Sequence, residues 1–504
     1  MLAAAIPRSR SEPRAPRELL AERAPLVAAA NSIALSPQRE GGRKLVVRLV
    51  YLLLLLAIVE GAIRKWVAPQ LGAYIFFLRD PILVLAYLVA TRYRLWPRNS
   101  ALFRLSVGLA VFGAVLLVLQ VATGGYSEHR LVLGVYGWRA YFLYAPLAFL
   151  VGAQFGRTDV LRLSKLMLWL AIPIAVLVTA QFFSPQGAPI NVGIAEDAEF
   201  QFKGLGLNAE RTRPMGPFAS GAAQQQFVVL ACAILIAFFI APRRLPQPSF
   251  AVLLLTGGGV LTCIALSGSR GTVLQCALAI AVAFGVGMVG RGAAIKGRAI
   301  LWPAVLTLGA LLAYPIVFPE GYSAFTQRWT AADAAERQVF QETGVFGRAV
   351  YGLIDFVRLV DDVPMFGYGL GFGGNAAITL RATIDGVPIG GLAETDSARH
   401  IVDLGPLLGM GYIVFRLVVA AWLTRMAFRA VRRHADPMPL LLWSYVAYVF
   451  VMGQLTGQGT INFFGWLFAG VLIAACNPSG SRLLRRVGTL SPIRKFPHST
   501  KGTP

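Results

Sequence analysis

Runs of apolar residues long enough to cross a bilayer alternate along this chain with short polar connections, and one connection is far longer than the others. A hydrocarbon core about 30 Å thick needs roughly 20 apolar residues of helix. Twelve spans are expected, near 45–63, 71–90, 105–122, 131–152, 160–182, 222–241, 249–267, 272–289, 299–318, 402–424, 438–456 and 460–476. The pattern predicts an all-α polytopic membrane protein of about twelve transmembrane helices. Spans one to nine fill 45–318, a large, partly helical outer loop fills 319–401 and spans ten to twelve fill 402–476. Residues 1–44, rich in Arg, Pro, Ala and Ser, have no apolar face and are expected to be a disordered cytoplasmic tail. A second basic tail is expected over 477–504. No short apolar segment with a small-residue cleavage site precedes the first span, so that span is expected to be an uncleaved anchor.

Composition agrees. The chain is 56% hydrophobic and 14% charged, against about 45–50% and 25% in soluble domains. Cys232, Cys263, Cys276 and Cys476 all fall within apolar runs, where a thiol behaves as a small hydrophobe. No metal-ligand spacing, phosphate loop or dinucleotide fingerprint is present, so neither metal nor cofactor is expected.

The formal charge of +23 first suggests nucleic acid, but its position gives another reading. With the N-terminus inside, roughly two-thirds of all Lys and Arg fall on the cytoplasmic side, as the positive-inside rule requires. Every short inner connection is then basic, including 92–98, 156–162, 290–298 and 425–434. Both termini are expected in the cytoplasm and two large loops outside, near 183–221 and 319–400. No nucleic-acid partner is needed.

This orientation singles out arginines on the outer side. Arg211 and Arg213 stand in ERTRPMGPF before span six, and Arg270 in SGSRG between spans seven and eight. Arg79 with Asp80 lies within span two and Arg139 within span four. Such groups at membrane depth usually face the bundle interior or a cavity. One reading is a guanidinium cluster suited to bidentate pairing with phosphate. The other is packing: Arg139 pairs with Glu60 or Asp80, and Arg270 snorkels to the interface. Glu60, Arg64, Lys65 and Trp66 read as an interfacial belt.

Within the large loop, 331–362 has helical composition, with Val350, Leu353, Ile354, Val357 and Val360 at amphipathic spacing. FGYGLGFGG (366–374) follows, and its glycines Gly367, Gly369 and Gly371 read as a tight turn shaping a cavity. Glu394, Asp396, Arg399, His400 and Asp403 are then expected at the outer rim of span ten. A carboxylate or imidazole there suits a general base. A polar helix start capped by Asp396 or Ser397 explains them equally well.

In order and sidedness, RPMGPF, LSGSRG, the turn at Pro364, Gly367, Gly369 and Gly371, and the polar entry to the next span resemble the O-antigen ligase and O-antigen polymerase superfamily. The resemblance covers 210–425 best. It implies a GT-C-type membrane glycosyltransferase of the bacterial inner membrane, active at its periplasmic face and independent of metal. Its substrate would be an undecaprenyl-pyrophosphate-linked glycan, and its acceptor a glycan or lipid-linked oligosaccharide. Membrane lipids and other polysaccharide-export components are the implied partners. Arg213 and Arg270 match the family's pyrophosphate-binding arginines, with Arg139 and Arg211 as further candidates for the same anion. Glu394 stands where ligases carry a histidine base, and His400 is the neighbouring alternative. A glutamate there points to the polymerase branch. Two other classes fit the composition: a transporter or flippase of lipid-linked oligosaccharide, and a non-catalytic subunit of an envelope polysaccharide complex.

Overall fold

A computed structural model describes residues 37–477 apart from 98, 124–129, 194–210, 243–246, 291–292, 341–343, 375–376, 378–382, 385–386, 389–392, 394 and 435. The chain begins with α1 (Pro37–Ala62), which continues as a π-helical turn to Val67. Next come α2 (Arg79–Arg92), α3 (Ala101–Ala122), α4 (Arg130–Trp138), α5 (Ala145–Gln154) and α6 (Arg157–Phe183). The middle of the chain forms α7 (Gly221–Ile240), α8 (Phe250–Leu266), α9 (Arg270–Val289), α10 (Ala293–Val317), α11 (Pro319–Phe340) and α12 (Gly344–Ile354). The only described strands, Thr383–Ile384 and Val387–Pro388, pair as a small hairpin, and α13 (Asp396–His434), α14 (Met438–Val451) and α15 (Gly459–Cys476) complete the chain.

Among the described residues, eight helices are long and apolar enough to cross a membrane: α1, α3, α6, α7, α9, α10, α13 and α15. Apart from the small hairpin, the described elements are helical, as in a polytopic membrane protein. Of the other four expected spans, α8 and α14 are apolar helices of 17 and 14 residues. The remaining two, 71–90 and 131–152, are not single helices. The first divides into one turn at Gly72–Ile75 and α2; the second divides into α4, a π-helical turn at Arg139–Leu143, and α5. α1 starts at Pro37, inside the stretch expected to be a tail, where Arg43 bonds both Glu40 and Asp159. The rest of both expected tails lies outside the described residues.

Both interrupted spans carry charge within them. Asp80 accepts from Tyr144 Oη at 2.6 Å and pairs with Arg139, whose guanidinium also lies 4.4 Å from the Phe76 ring centre. Arg79 Nε contacts Glu60 at 2.8 Å, and Arg79 Nη1 donates to the Gly459 carbonyl. A break in a helix at membrane depth is tolerated where other protein groups enclose it, and these ion pairs stand beside both breaks.

At the centre, every residue of α7 from Ala223 to Ile240 is buried except Gln225. α15 is buried almost throughout and packs on α5. A Cβ on Gly470 would come within 2.7 Å of the Ala148 carbonyl, so this pair of helices approaches as closely as its small residues allow. α10 and α3 bury almost nothing, which suits helices facing lipid.

α13 is two helices joined at a kink. Gly405, at φ 76° and ψ 171°, separates a short helix, 396–404, from a long one starting at Pro406. The positive φ suits glycine, and a side chain would meet the Met365 carbonyl at 2.2 Å. Against this break lies the glycine turn, with Gly367, Gly369 and Gly371 at φ 73°, 114° and 87°. It is held by Tyr368 N to the Val402 carbonyl and Gly369 N to that of Asp403.

Candidate functional site

The chain before α7, residues 211–220, runs through the interior and delivers Arg213 to a cavity. Ser220 caps α7 by accepting from Ala223 N, and Ser269 caps α9 by accepting from Thr272 N. Gly268 at φ 57° makes the turn that lets α9 begin with Arg270. A cation in the first turn of a helix opposes the positive end of the macrodipole, a penalty of about 0.3–1 kcal/mol. Glu336 on α11 offsets it: Arg270 Nη1 and Nη2 reach its two carboxylate oxygens at 2.9 and 2.6 Å.

These elements enclose a cavity of about 610 Å3, within the range of small-molecule sites of roughly 300–1,000 Å3. Its cationic lining is Arg213, Arg270, Arg328 and Arg348, against the single carboxylate of Glu336. Glu336 also lies 3.5 Å from Arg348. Arg213 donates from Nε to the Ser267 carbonyl at 3.3 Å and forms no ion pair with any described residue. Burial, with the nearby charge of Arg328, draws its pKa down to about 10, which leaves it charged at neutral pH. Arg328 is likewise lowered, by burial and then by Arg270, and it has no ion pair among the described residues. Leu274, Leu278 and Met452 supply an exposed apolar flank.

A second cavity of about 570 Å3 shares Arg213, Arg348 and Tyr448 with the first. Gln225, Gln454 and Gln458 also line it. The last two belong to the connection from α14 to α15, which together with the first turn of α15 bonds several buried polar groups. Thr456 N, Thr456 Oγ1 and Gly457 N donate to the Asp396 carboxylate. Gly459 accepts from Arg79, and Asn462 Nδ2 donates to the Ala140 carbonyl. A Cβ on Gly457 would stand 1.9 Å from Arg399 Nη1, so only glycine admits that guanidinium.

The sequence-predicted site residues therefore part company. Arg213 and Arg270 line one cavity. Arg211 pairs with Glu320 and lies over Phe182 and Phe183, and it lines neither cavity. Arg139 is held by Asp80, one of the two carboxylates expected for it, and also lines neither. Glu394 lies outside the described residues. Gly367 and Gly369 line a third cavity of about 520 Å3, between α3 and α13, and Gly371 packs on Leu133 and Gly137.

Asp396, Arg399, His400 and Asp403 were expected at the rim but are buried. Thr395, rather than Asp396 or Ser397, caps the helix by accepting from Ala398 N. Asp396 instead receives Arg399 Nη1 at 3.0 Å and Arg416 Nη1 at 2.6 Å. His400 is fully enclosed, with Nε2 at 2.8 Å from Arg416 Nη1 and Nδ1 at 2.9 Å from Tyr141 Oη. A guanidinium can only donate, so Nε2 accepts and the proton sits on Nδ1, which donates to Tyr141. Tyr141 in turn donates to Asp403 Oδ2 at 2.9 Å. The imidazole lone pair is thus engaged inside the bundle, and His400 lines neither arginine-bearing cavity.

Reading by motif missed Arg328, Glu336, Arg348 and the three glutamines. Arg328, Ala332 and Glu336 recur at four-residue spacing and form one face of α11, a signal present in the sequence. The polar stretch 453–462 interrupts two apolar runs with glutamines at 454 and 458. Compared with protein-family models and with curated proteins, the chain matches none.

Proposed function

We propose that this protein is a membrane glycosyltransferase that polymerises or ligates surface polysaccharide, taking its donor glycan from undecaprenyl pyrophosphate at the periplasmic face of the bacterial inner membrane. The observation that supports this reading is the meeting of Arg213, Arg270, Arg328 and Arg348 in one cavity with an apolar flank. Four guanidinium groups against one carboxylate suit a polyanion, and Leu274, Leu278 and Met452 suit the isoprenoid next to it. The matches of Arg213 and Arg270 to the O-antigen ligase and polymerase superfamily point to the same substrate.

In the proposed reaction an acceptor sugar hydroxyl attacks the anomeric carbon, and the bond from that carbon to the pyrophosphate oxygen breaks. The electron pair leaves with the pyrophosphate, and one displacement inverts the anomeric centre. Fixed cations stabilise charge developing on a leaving group, at about 2.7–4 kcal/mol for one well-placed donor. We assign the hydroxyl proton to Glu394, which stands near the end of the large loop, just before the buried short helix in sequence. The class of reaction, glycosyl transfer from a lipid-linked glycan, follows from the resemblance, and no metal or cofactor enters the scheme.

The test is transfer by purified protein in lipid nanodiscs from an undecaprenyl-pyrophosphate-linked glycan to an acceptor glycan. Arg270→Ala is expected to lower turnover by about 10²–10³-fold, the cost of removing one such donor. Wild-type protein that moves the lipid-linked glycan across proteoliposomes without forming a glycosidic bond would replace this reading with a flippase.

A further inference from the structure

The two cavities that meet at Arg213, Arg348 and Tyr448 differ in chemistry. Arg270, Arg328, Glu336 and the leucines belong to the first alone; Gln225, Gln454, Gln458, Ser220 and Met215 belong to the second alone. Beyond the shared arginines, the described lining of the second cavity is uncharged, and its polar members are Ser220, Gln225, Gln454, Gln458 and Tyr448. We propose that it is the saccharide subsite: it takes the neutral, hydroxyl-bearing sugar next to the pyrophosphate, while the first takes the pyrophosphate and the lipid. This inference rests on the proposed function and adds the direction in which the donor lies.

Unused hydrogen-bonding capacity supports it. Gln225 is the one residue of α7 from Ala223 to Ile240 that is not buried, because it faces this space. The side-chain amides of Gln225 and Gln454 bond no described residue. Gln458 accepts from Ser220 Oγ through Oε1 at 2.9 Å, which orients the side chain and leaves its NH2 group to donate. An amide offers both donors and acceptors without charge, as sugar hydroxyls require. Asp396 accepts from Thr456 N, Thr456 Oγ1 and Gly457 N, which fixes the backbone between the two glutamines. A subsite for an anionic group would not need three carboxamides. A subsite for lipid would leave them unpaired in an apolar surrounding, at a cost of about 1–3 kcal/mol each.

The experiment measures binding of two ligands to the full-length protein in nanodiscs. One is undecaprenyl pyrophosphate; the other is the native lipid-linked glycan extracted from cells deleted for this chain. Wild type is expected to bind the glycan form more tightly. Gln454→Leu with Gln458→Leu should lose about tenfold of that gain, as two neutral hydrogen bonds would give, and should bind undecaprenyl pyrophosphate unchanged. Thermal unfolding of the variant should match wild type, since both side chains are partly exposed. Equal binding of the two ligands by wild type, an undiminished preference in the variant, or equal loss of both ligands would each overturn the subsite. Failure of wild type to bind undecaprenyl pyrophosphate at all would instead overturn the proposed function.

Discussion

At Arg270 two electrostatic preferences oppose each other, and Glu336 settles the conflict. The guanidinium sits at the start of α9, where the macrodipole disfavours it, and a bidentate carboxylate neutralises it. Glu336 therefore competes with any anion for the same donors. Glu336→Gln is expected to tighten undecaprenyl pyrophosphate by about tenfold, equivalent to about 1.4 kcal/mol, and to lower the unfolding temperature slightly. Weaker or unchanged binding in a titration would refute the competition. Arg213 and Arg270 were legible in the sequence because basic residues on the outer side break the positive-inside pattern. Arg328 and Arg348 break it too, but within a long loop whose folding over the cavity no local pattern reveals. Arg139 shows the converse: its charge was visible, while its partner among two carboxylates depended on packing.

At the scale of elements, the helix 396–404 ties several parts of the interior together. Its two ends hold different things. Asp403 Oδ1 accepts from Gly373 N at 2.6 Å, and Arg399 Nε donates to the Gly373 carbonyl at 2.7 Å, fixing the glycine turn. Asp396, at the other end, gathers Arg399, Arg416, Thr456 and Gly457. Removing one partner from such a buried ionic network costs about 3–5 kcal/mol, since the charges left behind are unpaired. Asp396→Asn is expected to lower thermal stability in detergent by that order and to weaken glycan binding through the displaced glutamines. An unchanged melting curve would show that the network is not a support. The helix start here was foreseen as polar, but its residues were placed at the rim. Depth is a tertiary property: the same acidic first turn occurs on exposed helices and on buried ones.

For the whole molecule, the arrangement is asymmetric. α7 and α15 are enclosed, α3 and α10 face outward, and the cavities open among the ends of α7, α9, α11 and α14. The proposed orientation puts this end outside and the basic end of α13 in the cytoplasm. All four cysteines are buried, so an introduced cysteine reports with little background. Thr330→Cys on exposed α11 is expected to react with a membrane-impermeant maleimide in intact spheroplasts, and Arg429→Cys only after permeabilisation. The reverse pattern would invert the topology and with it the proposed face of catalysis.

Length and period of the apolar runs determined the membrane class and most of the helices, because a helix satisfies its own backbone within a bilayer whatever its neighbours. Charge along the connections determined the expected orientation for a similar reason, since it sums over short local segments. Neither property reaches across the chain. Arg79 meets Gly459, 380 residues away, and Ser220 meets Gln458 at a separation of 238. Such pairs exist only once the helices have packed. The breaks in the second and fourth expected spans, the burial of His400 and the meeting of four arginines with three glutamines were therefore decided by the tertiary structure alone.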